Sequence, residues 1–412
     1  MKKRIILLLI LLLFPFSVFA EEISDLYSET AVLYNRDTHE ILYDKNGNDK
    51  TLIASLTKVM TSIVAIENIK DMNEKVVLND EIFDYLSYDL STAGFKRNEE
   101  VTYEDLLYGA LFPSGADATH SLAYFISGSE EEYIKLMNKK AKELGMTNTH
   151  FVNTIGIEDV NDTHYSSAED MVKLLDYALK NDTFREMFSN DKYVTSDKSL
   201  TFVSPQKRTS ERLNIDLSII SGSKTGYTSR AGLCLASYAS NGKANLILVT
   251  TGAHTDRQGA HYLDAKKIYE YYFDNYEYKT LLKEKDEIVN LKTKYEYNVS
   301  IKQDKDVRKY LKKEITKKNL KYIYKGKKVL DNTVRKGDKL GTYYIKYKDE
   351  VLFKKTIYAP YNIKYRLNKI QKNILKIIIV FSALTEYITI KRRRRLRKRR
   401  RKRHKKHWKK II

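Results

Sequence analysis

Ile53-Ala-Ser-Leu-Thr-Lys-Val-Met-Thr61 places a serine and a lysine three residues apart where an apolar segment begins. From Leu56 to Ile69 apolar residues recur at helical spacing (Val59, Met60, Ile63, Val64), which predicts an amphipathic helix. Residues three apart share one helix face, about 5–6 Å between Cβ atoms, so the Ser55 hydroxyl and the Lys58 amine can meet. A serine hydroxyl needs an adjacent base to act as a nucleophile, and a lysine can be that base once burial or a neighbouring cation lowers its pKa. The free N–H groups at a helix start can help hold an oxyanion. Alone the pattern says little, because other S-x-x-K matches begin at Ser189, Ser204, Ser221 and Ser240. Those sit at turns, in polar stretches or before Pro205; only Ser55 opens a helix with apolar flanks.

Outward from this point the chain reads as an α+β domain over residues 21–270. Thr30-Ala-Val-Leu-Tyr34 and Glu40-Ile-Leu-Tyr43 flank Asn35-Arg-Asp-Thr38 as a hairpin. Tyr103–Phe112 and Asp170–Asn181 read as helices. Ser218-Ile-Ile220, Ala231–Ala239 and Ala244–Thr251 read as strands, with turns at Gly222, Gly226 and Asn241-Gly242. Strands at both ends with helices between them make an α+β arrangement. From 276 to 361 short segments rich in Tyr, Val and Ile alternate with turns such as Lys325-Gly326 and Gly337-Asp338, which predicts a small all-β domain.

The ends carry the charge. The 412-residue chain has a formal net charge of +21, yet Lys391–Lys410 alone holds sixteen Lys and Arg, and Lys2, Lys3 and Arg4 add to it, leaving a nearly neutral body of about +2. Basicity confined to the termini describes topology and argues against a nucleic-acid groove. Lys2–Arg4, the apolar run Ile5–Phe14 and the exit Val18-Phe19-Ala20 form a secretory signal over residues 1–20, cut after Ala20; the rival is an uncleaved anchor. Residues 374–390 are apolar and just long enough to span a bilayer. The polybasic tail 391–412 follows and would stay cytoplasmic. The alternative is an interfacial helix held to anionic lipid by that tail. Both readings put the body on the outer face of a membrane. A single cysteine, Cys234, lies in the apolar Gly232-Leu-Cys-Leu-Ala236, where packing is favoured over reactivity.

Two further motifs raise the standing of Ser55. Leu111-Phe-Pro-Ser-Gly-Ala-Asp117 sets Ser114 on a tight turn after a helix, and Lys224-Thr-Gly226 is the chain's one K-T-G. S-x-x-K, Ser-Gly and K-T-G in this order resemble the penicillin-binding proteins and class A β-lactamases. Ile53–Thr61, Thr102-Tyr-Glu-Asp-Leu-Leu-Tyr-Gly109, Leu144-Gly-Met-Thr-Asn-Thr149, His164-Tyr-Ser-Ser-Ala168 and Gly222-Ser-Lys-Thr-Gly-Tyr-Thr228 all read like low-molecular-mass penicillin-binding proteins, the serine-type D-alanyl-D-alanine carboxypeptidases.

That resemblance implies a β-lactamase/transpeptidase-like domain, no cofactor and no metal. Its substrate would be a peptidoglycan stem pentapeptide, and β-lactams would be covalent inhibitors. Ser55 would be the nucleophile, Lys58 its base and Ser114 a proton relay. Lys224, Thr225, Gly226 and Arg257 would bind the substrate, the first two and Arg257 at its carboxylate. The N–H groups of Ser55 and Tyr227 would form the oxyanion hole. The family's middle motif usually ends in Asn, and here Ala116 stands there; no S-x-N occurs anywhere. Asp117 is read as a helix cap and His164 as structural. The rivals are a serine β-lactamase, which needs a carboxylate for deacylation, and a non-catalytic cell-wall-binding homologue.

Overall fold

The computed structural model describes residues 23–408 apart from Tyr85, Tyr88, Asp89, Asp162, Glu296 and Asn368. The expected signal at 1–20 lies outside the described residues. The chain divides into two compact units, Met1–Glu277 and Tyr278–Ile412. The boundary sketched at residue 270 falls inside a helix that runs on to Asn275.

The first unit is built on a five-stranded antiparallel sheet in the order β2-β1-β9-β8-β7. Its strands are β1 (Thr30–Asn35), β2 (Glu40–Lys45), β7 (Gly222–Thr228), β8 (Gly232–Ser240) and β9 (Asn245–Ala253). Two short hairpins lie outside it, β3 (Lys75–Val77) with β4 (Glu100–Thr102) and β5 (Lys192–Val194) with β6 (Thr201–Val203). The helices are α1 (Thr57–Asn68), α2 (Asp80–Asp84), α3 (Tyr103–Leu111), α4 (Ala116–Ser127), α5 (Glu130–Glu143), α6 (Ala168–Ala178), α7 (Asp182–Ser189), α8 (Pro205–Leu213) and α9 (Ala260–Asn275).

Register explains why the strands read as apolar runs. Val32, Val249 and Ala236 are cross-strand partners and belong to the helical core. Leu33, Leu248 and Ser237, one residue along, face the other way. There Ser237 Oγ meets Tyr269 Oη of α9 at 2.9 Å. With both faces covered, strict apolar–polar alternation disappears. Ser218–Ile220 is a turn, and the strand is instead β7, which carries the K-T-G motif. Gly222 and Gly226 are strand residues, not turns, because their neighbours leave no room for a side chain. A Cβ at Gly222 would lie 2.3 Å from the Phe188 carbonyl oxygen.

Helix α1 is not amphipathic as expected. Every residue from Thr57 to Ile66 is buried, with α3, α4, α5, α6 and α7 packed around it. A helix apolar all round sits at the centre of a layer, and this one carries Lys58 into the interior. α3 begins with a capping box: Asp105 N–H donates to Thr102 Oγ1 at 3.1 Å, and Thr102 N–H to Asp105 Oδ2 at 2.9 Å.

Strand β10 (Tyr276–Leu282) starts at the end of the first unit, and with β11 (Glu287–Thr293), β12 (Asn298–Lys302), β13 (Val307–Lys312), β14 (Leu320–Gly326), β15 (Val329–Leu330), β16 (Lys339–Tyr347) and β17 (Glu350–Tyr358) of the second unit it forms three small sheets. They close on a core that includes Val299, Leu330 and Ile345. Helix α10 (Lys369–Trp408) follows. It is long and apolar enough to cross a membrane by length and composition. Among the described residues the basic segment continues this helix as far as Trp408.

The chain entering β1 is tied to α9 through Asp264, which is buried. Its carboxylate accepts from Tyr27 N–H at 3.1 Å, Ser28 N–H at 2.8 Å and Ser28 Oγ–H at 2.6 Å. Asp264→Ala strands these donors and is expected to destabilise the unit by about 1–3 kcal/mol. A matching fall in the urea midpoint at unchanged m-value would show it; an unchanged midpoint would refute it.

Candidate active site

Three segments distant in sequence meet at one cleft: the turn before α1, the turn between α3 and α4, and the edge strand β7. Ser55 lies in a 3₁₀ turn, Ala54–Leu56, immediately before α1. Lys58 Nζ donates to Ser55 Oγ at 3.1 Å and to the Ile155 carbonyl at 2.9 Å. Burial, the largest cause, pulls the Lys58 pKa down to about 7, against an opposing pull from Asp117. The amine is therefore substantially neutral, and able to take a proton, at neutral pH.

Ser114 follows α3 with φ of 64°, a left-handed conformation that turns the chain sharply into α4. Its Oγ accepts from Lys224 Nζ at 3.0 Å, and the same amine donates to the Thr225 carbonyl at 2.9 Å. Lys224 is fully buried, and its pKa is driven well below the usual value by burial first, then by Lys58 and Arg208. Ala116 is also buried and brings no polar atom.

Asp117 is not the N-cap of α4, which is Gly115, although its Oδ1 accepts from the first-turn N–H of Ala118 at 2.9 Å. Its carboxylate accepts from the N–H groups of Ala93 (2.7 Å), Gly94 (3.0 Å) and Phe95 (3.2 Å), pinning that segment beside the Ser114 turn. His164 is structural, as expected. Val152 N–H donates to its Nδ1 at 3.2 Å, so the ring proton sits on Nε2 and points at Thr57 Oγ1, 2.8 Å away. Thr57 Oγ1 in turn donates to the Ala54 carbonyl at 2.9 Å, bracing the turn that holds Ser55. Burial, outweighing the attraction of Asp159, lowers the His164 pKa to about 4 and keeps the ring neutral. Cys234 is buried, its pKa raised by burial to about 12.

The cleft is lined by Ser55, Ser114, Thr225, Gly226 and the exposed Tyr227. Arg257 lies exposed on the loop after β9 and is not among the lining residues. The guanidinium groups that do line the cleft are Arg208 and Arg212 of α8, which the sequence reading missed. A signal existed: Ser204 followed by Pro205 marks a helix start, and arginines four apart share a face. No carboxylate lines the cleft among the described residues.

This arrangement, a serine paired with a buried lysine at the edge of an antiparallel sheet, fits the class of serine hydrolases. The profile of the D-alanyl-D-alanine carboxypeptidase family matches residues 17–255, and the chain belongs to that family. The D-alanyl-D-alanine carboxypeptidase DacF of Bacillus subtilis is 32% identical over 382 residues, covering 88% of this chain and 95% of the relative. DacC of Escherichia coli is 33% identical over 238 residues, 55% of this chain and 56% of its own length. Penicillin binding protein 5 of Haemophilus influenzae shares the fold with a TM-score of 0.64 at 24% identity, covering 84% of this chain and all of that one (100%). A serine-to-alanine mutant of the Streptomyces K15 DD-transpeptidase gives a TM-score of 0.55 at 29% identity, over 61% of this chain and 99% of its own.

Strand β7 passes so close to the Ser55 turn that a Cβ at position 226 would sit 2.9 Å from Ser55 N and 3.0 Å from both Ala54 Cβ and the Ile53 carbonyl oxygen. These are backbone and stub atoms that cannot swing away. Gly226→Ala is expected to part strand from turn and slow acylation by about a hundredfold, the scale of an ångström-sized misplacement. Labelling kinetics with a fluorescent penicillin measure this; a rate near that of the native protein would refute it.

Proposed function

We propose that the D-alanyl-D-alanine carboxypeptidase reaction of this chain runs through an acyl-enzyme on Ser55, with Lys58 as general base. The observation that carries this reading is the 3.1 Å contact between a buried, substantially neutral amine and the Ser55 hydroxyl. Ser55 Oγ forms a bond to the carbonyl carbon of the penultimate D-Ala of a peptidoglycan stem pentapeptide as its proton passes to Lys58. The carbon–nitrogen bond then breaks. The proton reaches the leaving amine through Ser114, and terminal D-Ala departs. Water next hydrolyses the ester with the same base. The N–H groups of Ser55 and Tyr227 hold the oxyanion, which the close approach of β7 to the turn supports.

Lys224 and Thr225 take the substrate carboxylate, with Arg208 beside them in place of the exposed Arg257. Burial disfavours Lys224 as a cation. An incoming carboxylate restores its charge, and a charged Lys224 keeps Lys58 neutral at the moment of attack. β-Lactams enter by the same acylation and stay as stable esters. The absence of a carboxylate among the described lining residues favours a carboxypeptidase over a β-lactamase.

Ser55→Ala is expected to abolish both D-Ala release from a pentapeptide and covalent penicillin labelling. In the native chain the acylation rate should rise as pH passes upward through about 7, where Lys58 loses its proton. A rate flat from pH 6 to 8, or a labelled Ser55→Ala protein, would remove Ser55 and Lys58 from these roles.

Export by residues 1–20 would deliver the body to the outer face of the cytoplasmic membrane, where it serves the cell wall and cell shape. α10 would anchor it there, and its basic half, on the cytoplasmic side, would lie on anionic lipid. The apolar stretch of α10 from Ile374 to Ile390 is exposed throughout, which fits a lipid surround. Deleting residues 369–412 is expected to move the protein from the membrane fraction to the soluble fraction. Continued sedimentation with membranes would assign the anchoring elsewhere.

A further inference from the structure

Lys58 Nζ has two hydrogen-bond acceptors among the described residues, Ser55 Oγ and the Ile155 carbonyl. Ala116 offers none. A base held by its own nucleophile on one side depends on the other contact for its aim, so what fixes the Ile155 carbonyl matters. That carbonyl belongs to a loop without regular structure, and the sequence alone gives no reason for it to be rigid.

Two side chains make it so. Asn153 Oδ1 accepts from the N–H groups of Ile155 (3.3 Å), Gly156 (2.7 Å) and Ile157 (3.2 Å), winding the loop around one oxygen. Glu130, the first residue of α5, then locks the wound loop to the helical layer. Its Oε1 accepts both Thr154 N–H and Thr154 Oγ1–H at 2.8 Å. From the far side Thr61 Oγ1, one turn beyond Lys58 on α1, donates to the Thr154 carbonyl at 2.7 Å. Residue 154 is thus bonded through its N–H, hydroxyl and carbonyl, and the next carbonyl in the chain is the one that meets Lys58. Glu130 sits at the helix N-terminus, where its charge is favoured, and its other oxygen lies 3.9 Å from His120 Nδ1.

We propose that Glu130 is a positioning residue for the reaction, setting the direction of the Lys58 amine by clamping Thr154 and, through it, the Ile155 carbonyl. The inference rests on the reading of Lys58 as the base of Ser55. The charged and titratable groups that face Lys58 are Asp117 and His120 from α4, Lys224 from β7 and His164 from the loop before α6. Glu130 acts through the loop, by hydrogen bonds and not by its charge on the amine.

The test follows acylation of the full chain by a fluorescent penicillin from pH 5.5 to 10. In Glu130→Ala the loop loosens and water reaches Lys58. The rate near pH 7 falls by about ten- to a hundredfold, and the acidic limb moves up as the amine regains its ordinary basicity. Glu130→Gln keeps an oxygen for both Thr154 bonds and restores rate and limb to within about threefold of the native values. Thr154→Val, which removes the hydroxyl bond alone, gives a smaller displacement in the same direction and serves if Glu130→Ala does not fold. An unmoved limb in Glu130→Ala, or in Thr154→Val where that variant stands in for it, overturns the proposal. So does a Glu130→Gln protein as slow as Glu130→Ala, which would make charge the cause. A Ser55→Ala control separates the two levels. If it still labels, the underlying assignment of Ser55 and Lys58 fails. If it is dark while Glu130→Ala behaves as native, only the role of Glu130 fails.

Discussion

Burying an amine is the constraint around which the first unit is organised. A lysine taken out of water loses much of its preference for the charged form, and α1 carries Lys58 to where that loss is nearly complete while Ser55 stays half-buried at the cleft. The helix can do this because its other buried residues are apolar or small and polar, and because five helices surround it. A second lysine, Lys224, is buried within reach of the first's field. Two such amines in one interior resist being charged together.

The spacing of Ser55 and Lys58 was legible in the sequence because a helix turns three residues into a contact, and K-T-G was legible as a motif. Its placement on a strand was not. Glycines usually punctuate, and Gly222 and Gly226 read as turns until their close neighbours were known. These are tertiary facts: the atoms that crowd Gly226 belong to residues 53–55, and those that crowd Gly222 belong to Phe188. The amphipathic reading of α1 failed for a related reason. Threonines, a serine and the lysine itself on its second face looked solvated by composition, yet Thr57, Thr61 and Lys58 find hydrogen-bond partners inside.

Arg208 and Arg212 show the opposite error, in which charge was visible and location was not. An exposed arginine after β9 satisfied the expected pattern in sequence order, while the pair on α8 reached the cleft through the fold. Asp117 likewise read as a cap because it opens a helix, whereas its oxygens serve three backbone donors of a neighbouring segment. In each case the residue type and local pattern were informative, and the partner came from a part of the chain that periodicity cannot reach.

The turn bearing Ser55 is enclosed by backbone on both sides. Ala54 is held at φ of 45°, with a Cβ at Gly156 placed 1.9 Å from its carbonyl oxygen and Gly226 pressed against its other flank. A left-handed alanine costs about 1–2 kcal/mol, so the surrounding contacts must enforce it. Such a vice leaves few routes for variation. Substitutions that would reshape the immediate surroundings of Ser55 are closed off at positions 54, 156 and 226. Room for variation is thereby left to the rim, at open side chains such as Tyr227 and Arg212.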